Sequence, residues 1–301
     1  MNDGSARAGG VSRRTLIKAA VSAVVGVGLA GATWTATRHR RTVARGGHAP
    51  TRGHGASPLA SKAGGTSASS SPGPLAGVIV GIDPGHNGDN WDHSSYISRS
   101  VWNGREEEAC DTTGTADADG YSEAQFAFNV AQNLAAELQA QGATVILTRT
   151  TNTGYGPCIT QRASIVNNAG AHVAISIHAD GGPVDGRGFS ILEPVASGVN
   201  DAVISSSQVL GDHVRTALVT ETPMPVSDYY GVDGIVPRDD LGGLNLTTVP
   251  KVMVECGNMQ NPTDAALLID PSFQQQAATA LAKAIASFLA ASSPGPAPSA
   301  I

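Results

Sequence analysis

The stretch VIVGIDPGHNGD, Val78 to Asp89, decides how the rest of the chain is interpreted. The five small or apolar residues before Asp83 are typical of a buried strand, and Asp-Pro-Gly then predicts a turn. A titratable pair, Asp83 and His86, therefore stands where this strand ends. An ordinary turn followed by a histidine without a functional role would have the same sequence. The rest of the chain is needed to decide whether Asp83 and His86 form part of a functional site.

Short apolar runs alternate with helical patterns from residue 75 onward, which favours an α/β fold around a largely parallel sheet. A polar insertion at 87–121 starts directly after His86, so we expect it to line whatever His86 serves. The predicted strands are 78–83, 144–148, 173–178, 188–192 and 252–255, and the predicted helices are 122–141, 160–168, 201–220 and 271–290.

The N-terminal residues are similar to a twin-arginine export signal, because SRRTLIK (Ser12 to Lys18) precedes an uncharged run at 19–37. An ordinary membrane anchor is the alternative. We therefore expect export to the cell envelope, with membrane contact only through this segment if it is not cleaved. The predicted organisation is a signal or anchor at 1–41, a flexible Gly/Ser/Ala/Pro linker at 42–76, one folded domain at 77–291 and a disordered tail at 292–301.

Charge is distributed unevenly along the chain. Residues 1–62 hold ten of the 19 Lys and Arg residues but one of the 25 acidic residues, so the remainder is strongly acidic. A nucleic-acid partner needs a basic surface, which this composition excludes for the folded part.

Two further apolar runs end in the same way as the first. VAISIHAD ends in His178, and KVMVECGN contains Glu255. Because ligands of open α/β sheets bind at the carboxyl ends of the strands, these side chains should point into one crevice with His86. Glu123 opens the helix that follows Ser122 and lies on its apolar face, although the helix dipole alone would favour an acid there.

Two imidazoles and a carboxylate are suitable ligands for a hydrolytic zinc ion, which keeps its fourth position for water. A further carboxylate, Glu255, would then take a proton from that water and pass it to a departing amine. The residue types thus predict metal-assisted amide hydrolysis.

The motifs DPGH, a glutamate opening a helix, SIHAD and VECGNMQN together resemble the zinc-dependent N-acetylmuramoyl-L-alanine amidases of bacterial cell walls, over residues 76–291. The segments GRGF (186–189) and DLGGLNL (240–246) resemble the compact actinobacterial type. The resemblance implies a mixed sheet of about six strands and one zinc ion per chain. It also implies hydrolysis of the amide between N-acetylmuramic acid and L-alanine in peptidoglycan or muropeptides. The roles it implies are metal binding for His86, Glu123 and His178 and catalysis for Glu255.

Two other residues are candidates for supporting roles. Asp83 could accept a hydrogen bond from a metal-bound imidazole, or it could serve only the turn. Arg238 could pair with a carboxylate of the stem peptide, or it could be a surface arginine.

Three cysteines in an exported chain predict one disulfide and one free thiol. Cys110 and Cys158 both lie in loops, so we expect them to be bonded, and Cys256 on a strand is expected to be a small buried residue. A nucleophilic or metal-binding Cys256 is the alternative.

Two rival functions share these motifs. One is a zinc peptidase that cuts within the stem peptide, because ligands define the chemistry and loops define the substrate. The other is a cell-wall binding module without catalysis, which the presence of Glu255 disfavours.

Overall fold

The computed structural model describes residues 73–292. The predicted signal or anchor, the predicted linker up to residue 72 and the tail from residue 293 lie outside the described residues. The predicted linker ends too late, because Leu75 is 3% exposed and its N–H donates to the Gln141 carbonyl. Residues 73–76 therefore belong to the folded part.

Eight strands occur within residues 73–292. They are β1 (Ile79–Pro84), β2 (Ser100–Trp102), β3 (Glu107–Ala109), β4 (Thr144–Leu147), β5 (Val173–Asp180), β6 (Ser190–Pro194), β7 (Ile235–Arg238) and β8 (Lys251–Asn258). Six of them form one sheet in the order β4-β1-β5-β8-β6-β7, and β2 and β3 form a separate hairpin. β4, β1, β5 and β8 are parallel, whereas β6 is antiparallel to β8. The predicted mixed, mostly parallel sheet of about six strands is confirmed.

Seven α-helices flank the sheet in the described part of the chain. They are α1 (Ser94–Ile97), α2 (Glu123–Ala140), α3 (Ile159–Asn168), α4 (Ile204–Glu221), α5 (Gly242–Asn245), α6 (Pro262–Leu268) and α7 (Pro271–Ser292). α2, α4 and α7 pack together over one face of the sheet and bury its main core, while α3 and α5 cover the other face. None of the helices from residue 73 to 292 combines the length and apolar character needed to cross a membrane.

The start of α2 follows from its sequence. The Ser122 hydroxyl accepts a hydrogen bond from the Gln125 N–H and caps the helix. Ala127, Val130 and Leu134 are fully buried on the sheet side, and Glu123 shares this face at 5% exposure. The helix therefore carries a buried carboxylate to the end of the sheet.

The strand predictions failed at one edge of the sheet. β7 was not predicted, because Pro237 interrupts the run IVPR and proline argues against a central strand. The structure places β7 at the sheet edge, where proline is tolerated. β6 starts at Ser190 instead of residue 188, because Gly188 has φ +105° and cannot continue a regular strand.

Candidate active site

The four predicted residues lie at one edge of the sheet. β1, β5 and β8 are neighbours and run parallel, so their carboxyl ends meet there. His86 follows β1 by two residues, and His178 on β5 lies directly opposite Glu255 on β8. Glu123 reaches the same place from the first residue of α2. The structure thus brings together residues that are up to 169 positions apart in the sequence.

Two imidazoles face one carboxylate oxygen. His86 Nε2 lies 3.1 Å from Glu123 Oε1, and His178 Nδ1 lies 2.7 Å from the same oxygen. One ligand atom from each residue lies within 4.8 Å of the others. The second oxygen of Glu123 accepts a hydrogen bond from the Thr115 N–H at 2.9 Å, which leaves Oε1 directed at the imidazoles.

The donor atoms suit a divalent cation. His86 Nδ1 lies 3.1 Å from the Thr112 carbonyl oxygen, which can only accept a hydrogen bond. A proton on Nδ1 leaves the lone pair of Nε2 facing Glu123. Two nitrogens and one carboxylate oxygen then point their lone pairs at one another, which is a donor set typical of zinc.

Electrostatics favour positive charge at this position. Burial alone would raise the pKa of Glu123, but His86 and His178 lower that pKa well below its usual value. Burial alone would lower the pKa of His86, but Glu123 and Asp111 outweigh it and raise that pKa. Glu123 therefore stays ionised, and a proton or a metal ion is strongly attracted to the nitrogens beside it.

Glu255 differs from Glu123 in its surroundings. It is partly buried, and its Oε2 is buried without a hydrogen-bond partner among the described residues. Burial raises the pKa of Glu255, and the negative charges of Glu123 and Asp180 raise it further. A carboxylate with a raised pKa and a free oxygen is suited to accept and return a proton.

Two glycines lie against the side chains that are candidate metal ligands. Gly114 has φ +71°, and a Cβ atom there would lie 2.7 Å from both Glu123 Oε2 and His86 Cδ2. A Cβ on Gly85 would overlap the imidazole of His178. The insertion that carries Gly114 does line His86, as the sequence predicts.

The expectation that Asp83 orients a metal-bound imidazole is wrong. Its oxygens instead accept hydrogen bonds from Thr148, Ser176, Arg162 and Lys251, at 2.7 to 3.0 Å. Burial would raise the pKa of Asp83, but the two cations lower it well below its usual value. The carboxylate that faces His86 Nδ1 is Asp111, at 3.5 Å.

Sequence reasoning missed the buried cations beneath the site. Arg149, Arg162 and Lys251 are 5%, 4% and 1% exposed. Arg149 donates to the carbonyls of Pro84, Gly85 and Ala124, and so joins the end of β1 to the start of α2. Burial and the nearby Arg162 lower the pKa of Arg149 to about 9.

Arg238 already has a carboxylate partner within the chain. Its Nε and Nη2 donate to the two oxygens of Asp240 at 2.6 and 2.7 Å, and its Nη1 contacts the Tyr230 hydroxyl. The arginine is partly buried, with 25% of its side chain exposed. Pairing with a stem-peptide carboxylate stays a prediction.

The structure contains the predicted disulfide between Cys110 and Cys158, with Cα atoms 4.6 Å apart. Cys256 is free and 1% exposed, and burial raises the pKa of its thiol. It lies outside the group of possible metal ligands within residues 73–292, so it behaves as a small buried residue.

The chain is similar in sequence and structure to known proteins. The family described as N-acetylmuramoyl-L-alanine amidase matches residues 80–287. The N-acetylmuramoyl-L-alanine amidase Rv3717 of Mycobacterium tuberculosis is 37% identical over 232 residues, covering 75% of this chain and 92% of the relative. The crystal structure of the amidase Ami1 from Mycobacterium smegmatis matches with a TM-score of 0.68 and 40% identity, over 72% of this chain and 99% of that one. The apo form of Ami1 from Mycobacterium abscessus matches with a TM-score of 0.65 and 35% identity, over 71% and 100% of the two chains.

Proposed function

Since the chain belongs to the N-acetylmuramoyl-L-alanine amidase family and is a peptidoglycan amidase, we propose that it hydrolyses its substrate with a zinc ion as cofactor. The bond cleaved is the amide between N-acetylmuramic acid and the L-alanine of the stem peptide. One observation carries the zinc proposal: His86 Nε2 and His178 Nδ1 both face Glu123 Oε1, at 3.1 and 2.7 Å.

His86, Glu123 and His178 are the proposed ligands. Zinc would supply Lewis acidity, which polarises the scissile carbonyl and makes a water molecule more acidic. The ionised Glu123 lowers the positive charge of the centre, and the hydrogen bond from the Thr115 N–H holds its second oxygen in place.

Glu255 is the proposed proton carrier. It accepts a proton from the attacking water as the water oxygen bonds to the carbonyl carbon. It then returns this proton to the nitrogen of L-alanine as the C–N bond breaks, so that an amine and a carboxylic acid are released and the acid then ionises. Its unpartnered Oε2 and its raised pKa support this role.

Digestion of purified muropeptides, with products identified by mass spectrometry, tests the function. We expect lactyl-muramic acid and intact stem peptides, and we expect a zinc chelator to stop the reaction. Peptides cut internally would instead support the peptidase alternative, and unchanged muropeptides would support the binding module.

Two variants test the residue roles. Glu255→Gln should bind zinc as tightly as the wild type but lose about 10²–10⁴-fold in kcat, because the proton carrier is removed. Glu123→Ala should lose zinc. Glu221→Gln, which changes a carboxylate exposed on α4 and paired with Lys283, is the matched control. Normal turnover by Glu255→Gln would refute the assignment of Glu255.

We also propose that the protein acts in the cell envelope. The twin-arginine pattern at 12–18 and the peptidoglycan substrate support this, and disulfides persist in oxidising compartments. A fusion of residues 1–72 to a reporter enzyme should be exported, and replacing Arg13 and Arg14 by lysine should retain it in the cytoplasm. Export that is unaffected by these replacements would indicate an ordinary anchor.

A further inference from the structure

We propose that Arg162 is the positioning residue that fixes the imidazole of His86 for metal binding, an inference that rests on the proposed zinc function. Arg162 lies on α3 and is 4% exposed. Its guanidinium reaches both ends of the turn that presents His86. The acceptors of its two terminal nitrogens are Asp83 Oδ1 (3.0 Å), the carbonyls of Pro84 (2.6 Å), His86 (2.7 Å) and Gly156 (3.4 Å), and Asp111 Oδ2 (3.3 Å).

The backbone of His86 needs to be held. Its φ is +54°, in the left-handed region, which is unfavourable by about 1 kcal/mol or more for a residue with a side chain. The guanidinium of Arg162 is a rigid fork that donates to the carbonyls of Pro84 and His86 at the same time. These two bonds hold the peptide unit that precedes Gly85 and the one that follows His86. The direction in which the His86 side chain leaves the backbone is thereby set.

The same guanidinium also positions a carboxylate near His86 Nδ1, the ring nitrogen that faces away from Glu123. Asp111 Oδ2 lies 3.3 Å from Arg162 Nη2, and Asp111 Oδ1 lies 3.5 Å from His86 Nδ1. Arg162 therefore holds a carboxylate beside Nδ1 of the imidazole, next to the Thr112 carbonyl that lies 3.1 Å from the same nitrogen. Groups behind metal-bound histidines orient the ring in this way.

The covalent structure keeps these groups together. The N–H of Arg162 donates to the Cys158 carbonyl in the first turn of α3, and Cys158 is bonded to Cys110, the residue before Asp111. The disulfide thus joins α3 to the insertion close to Arg162 and Asp111, the two residues that contact His86.

Other buried cations do not duplicate this position. Arg149 contacts carbonyls near His86 but no carboxylate, and Lys251 contacts Asp83 but not the turn. Among the described cations, Arg162 alone contacts both Asp83 and Asp111, whose side chains are each 6% exposed.

Zinc affinity of the purified protein tests the proposal, measured by competition with a chromogenic chelator. Arg162→Lys keeps the charge but loses the fork, so we expect zinc to bind about 10–100-fold more weakly. Asp111→Asn should weaken binding in the same range. The double variant should lose little more than either single one, because both groups act through the same imidazole.

Arg187→Lys is the matched control, since Arg187 pairs with Asp264, a fully buried carboxylate. Its zinc affinity should equal that of the wild type. The absorption spectrum of the cobalt-substituted protein provides a second readout, and Arg162→Lys should change it.

Unfolding of the metal-free proteins in urea separates positioning from stability. If Arg162→Lys unfolds more easily but binds zinc as the wild type does, Arg162 is merely structural and the proposal is overturned. If Arg162→Lys does not fold, Asp111→Asn decides, and unchanged affinity in that variant overturns the proposal. A wild-type protein that binds no zinc would overturn the zinc function itself.

Discussion

Gly114→Ala should damage the metal site through one added methyl group. The new Cβ would lie 2.7 Å from Glu123 Oε2 and from His86 Cδ2, whereas ordinary contact begins at 3.4 Å. Two side chains of the proposed metal site therefore have to move by about 0.7 Å, more than the ~0.2 Å that distances in a metal site tolerate. We expect zinc affinity to fall about 10–100-fold.

A second glycine separates this effect from backbone strain. Gly170 has φ +62°, close to the +71° of Gly114, but a Cβ there would meet no atom within 4 Å. Both substitutions should lower the free energy of unfolding of the metal-free protein by about 1–2 kcal/mol, because alanine is disfavoured at positive φ. Only Gly114→Ala should also weaken zinc binding.

The assay is zinc competition with a chromogenic chelator, together with urea unfolding in the presence of excess chelator. Wild-type zinc affinity in Gly114→Ala would refute the contact argument. Weakened affinity in Gly170→Ala would show that strain far from the site is sufficient.

Two further predictions concern stability. Replacing both Cys110 and Cys158 by serine removes a crosslink between residues 48 positions apart. The free energy of unfolding, measured by urea titration, should fall by about 4 kcal/mol. An unchanged urea midpoint would contradict this. Glu193 on β6 is buried, and burial followed by the charge of Asp212 raises its pKa from 4.5 to about 7. Because the folded pKa exceeds the unfolded one, the wild type should lose stability as the pH rises from about 4.5 to about 7. Glu193→Gln cannot ionise, so at pH 8 it should be more stable than the wild type by about 1–3 kcal/mol, with no difference near pH 4. Equal urea midpoints of the wild type and Glu193→Gln at pH 8 would show that ionisation of Glu193 does not destabilise the folded protein.

The sequence was sufficient to predict the strand-end residues. His86, His178 and Glu255 follow apolar runs, and the geometry of parallel sheets then requires that they meet. Glu123 could be found because its helix has a clear apolar face that includes it. Local patterns therefore predict which side chains gather at this edge of the sheet, whereas their roles were inferred from the family resemblance.

The groups beneath the proposed ligands could not be predicted in this way. Arg162 and Lys251 are charged, and charged side chains are usually exposed, so their burial was not expected. Their common partner Asp83 lies 79 and 168 positions away. A signal did exist for Lys251, which begins the otherwise apolar run KVMV. The prediction for Asp83 failed for the same reason, because its true partners are distant in the sequence.

Because β6 runs opposite to β8, the segments that carry the imidazoles and the segment that borders Glu255 on its other side come from different parts of the chain. β6 begins at the edge where β1, β5 and β8 end, and Ser190 lies opposite Glu255. On the β6 side of Glu255, this edge of the sheet is therefore bordered by a segment that precedes β6, and this segment is here called the wall. Asn258 holds the wall by donating to the carbonyls of Pro183 and Gly186. Loops of this wall can be exchanged or lengthened without touching the peptide units that carry the imidazoles. Substrate preference in this enzyme should thus be open to redesign while its hydrolytic centre is left intact.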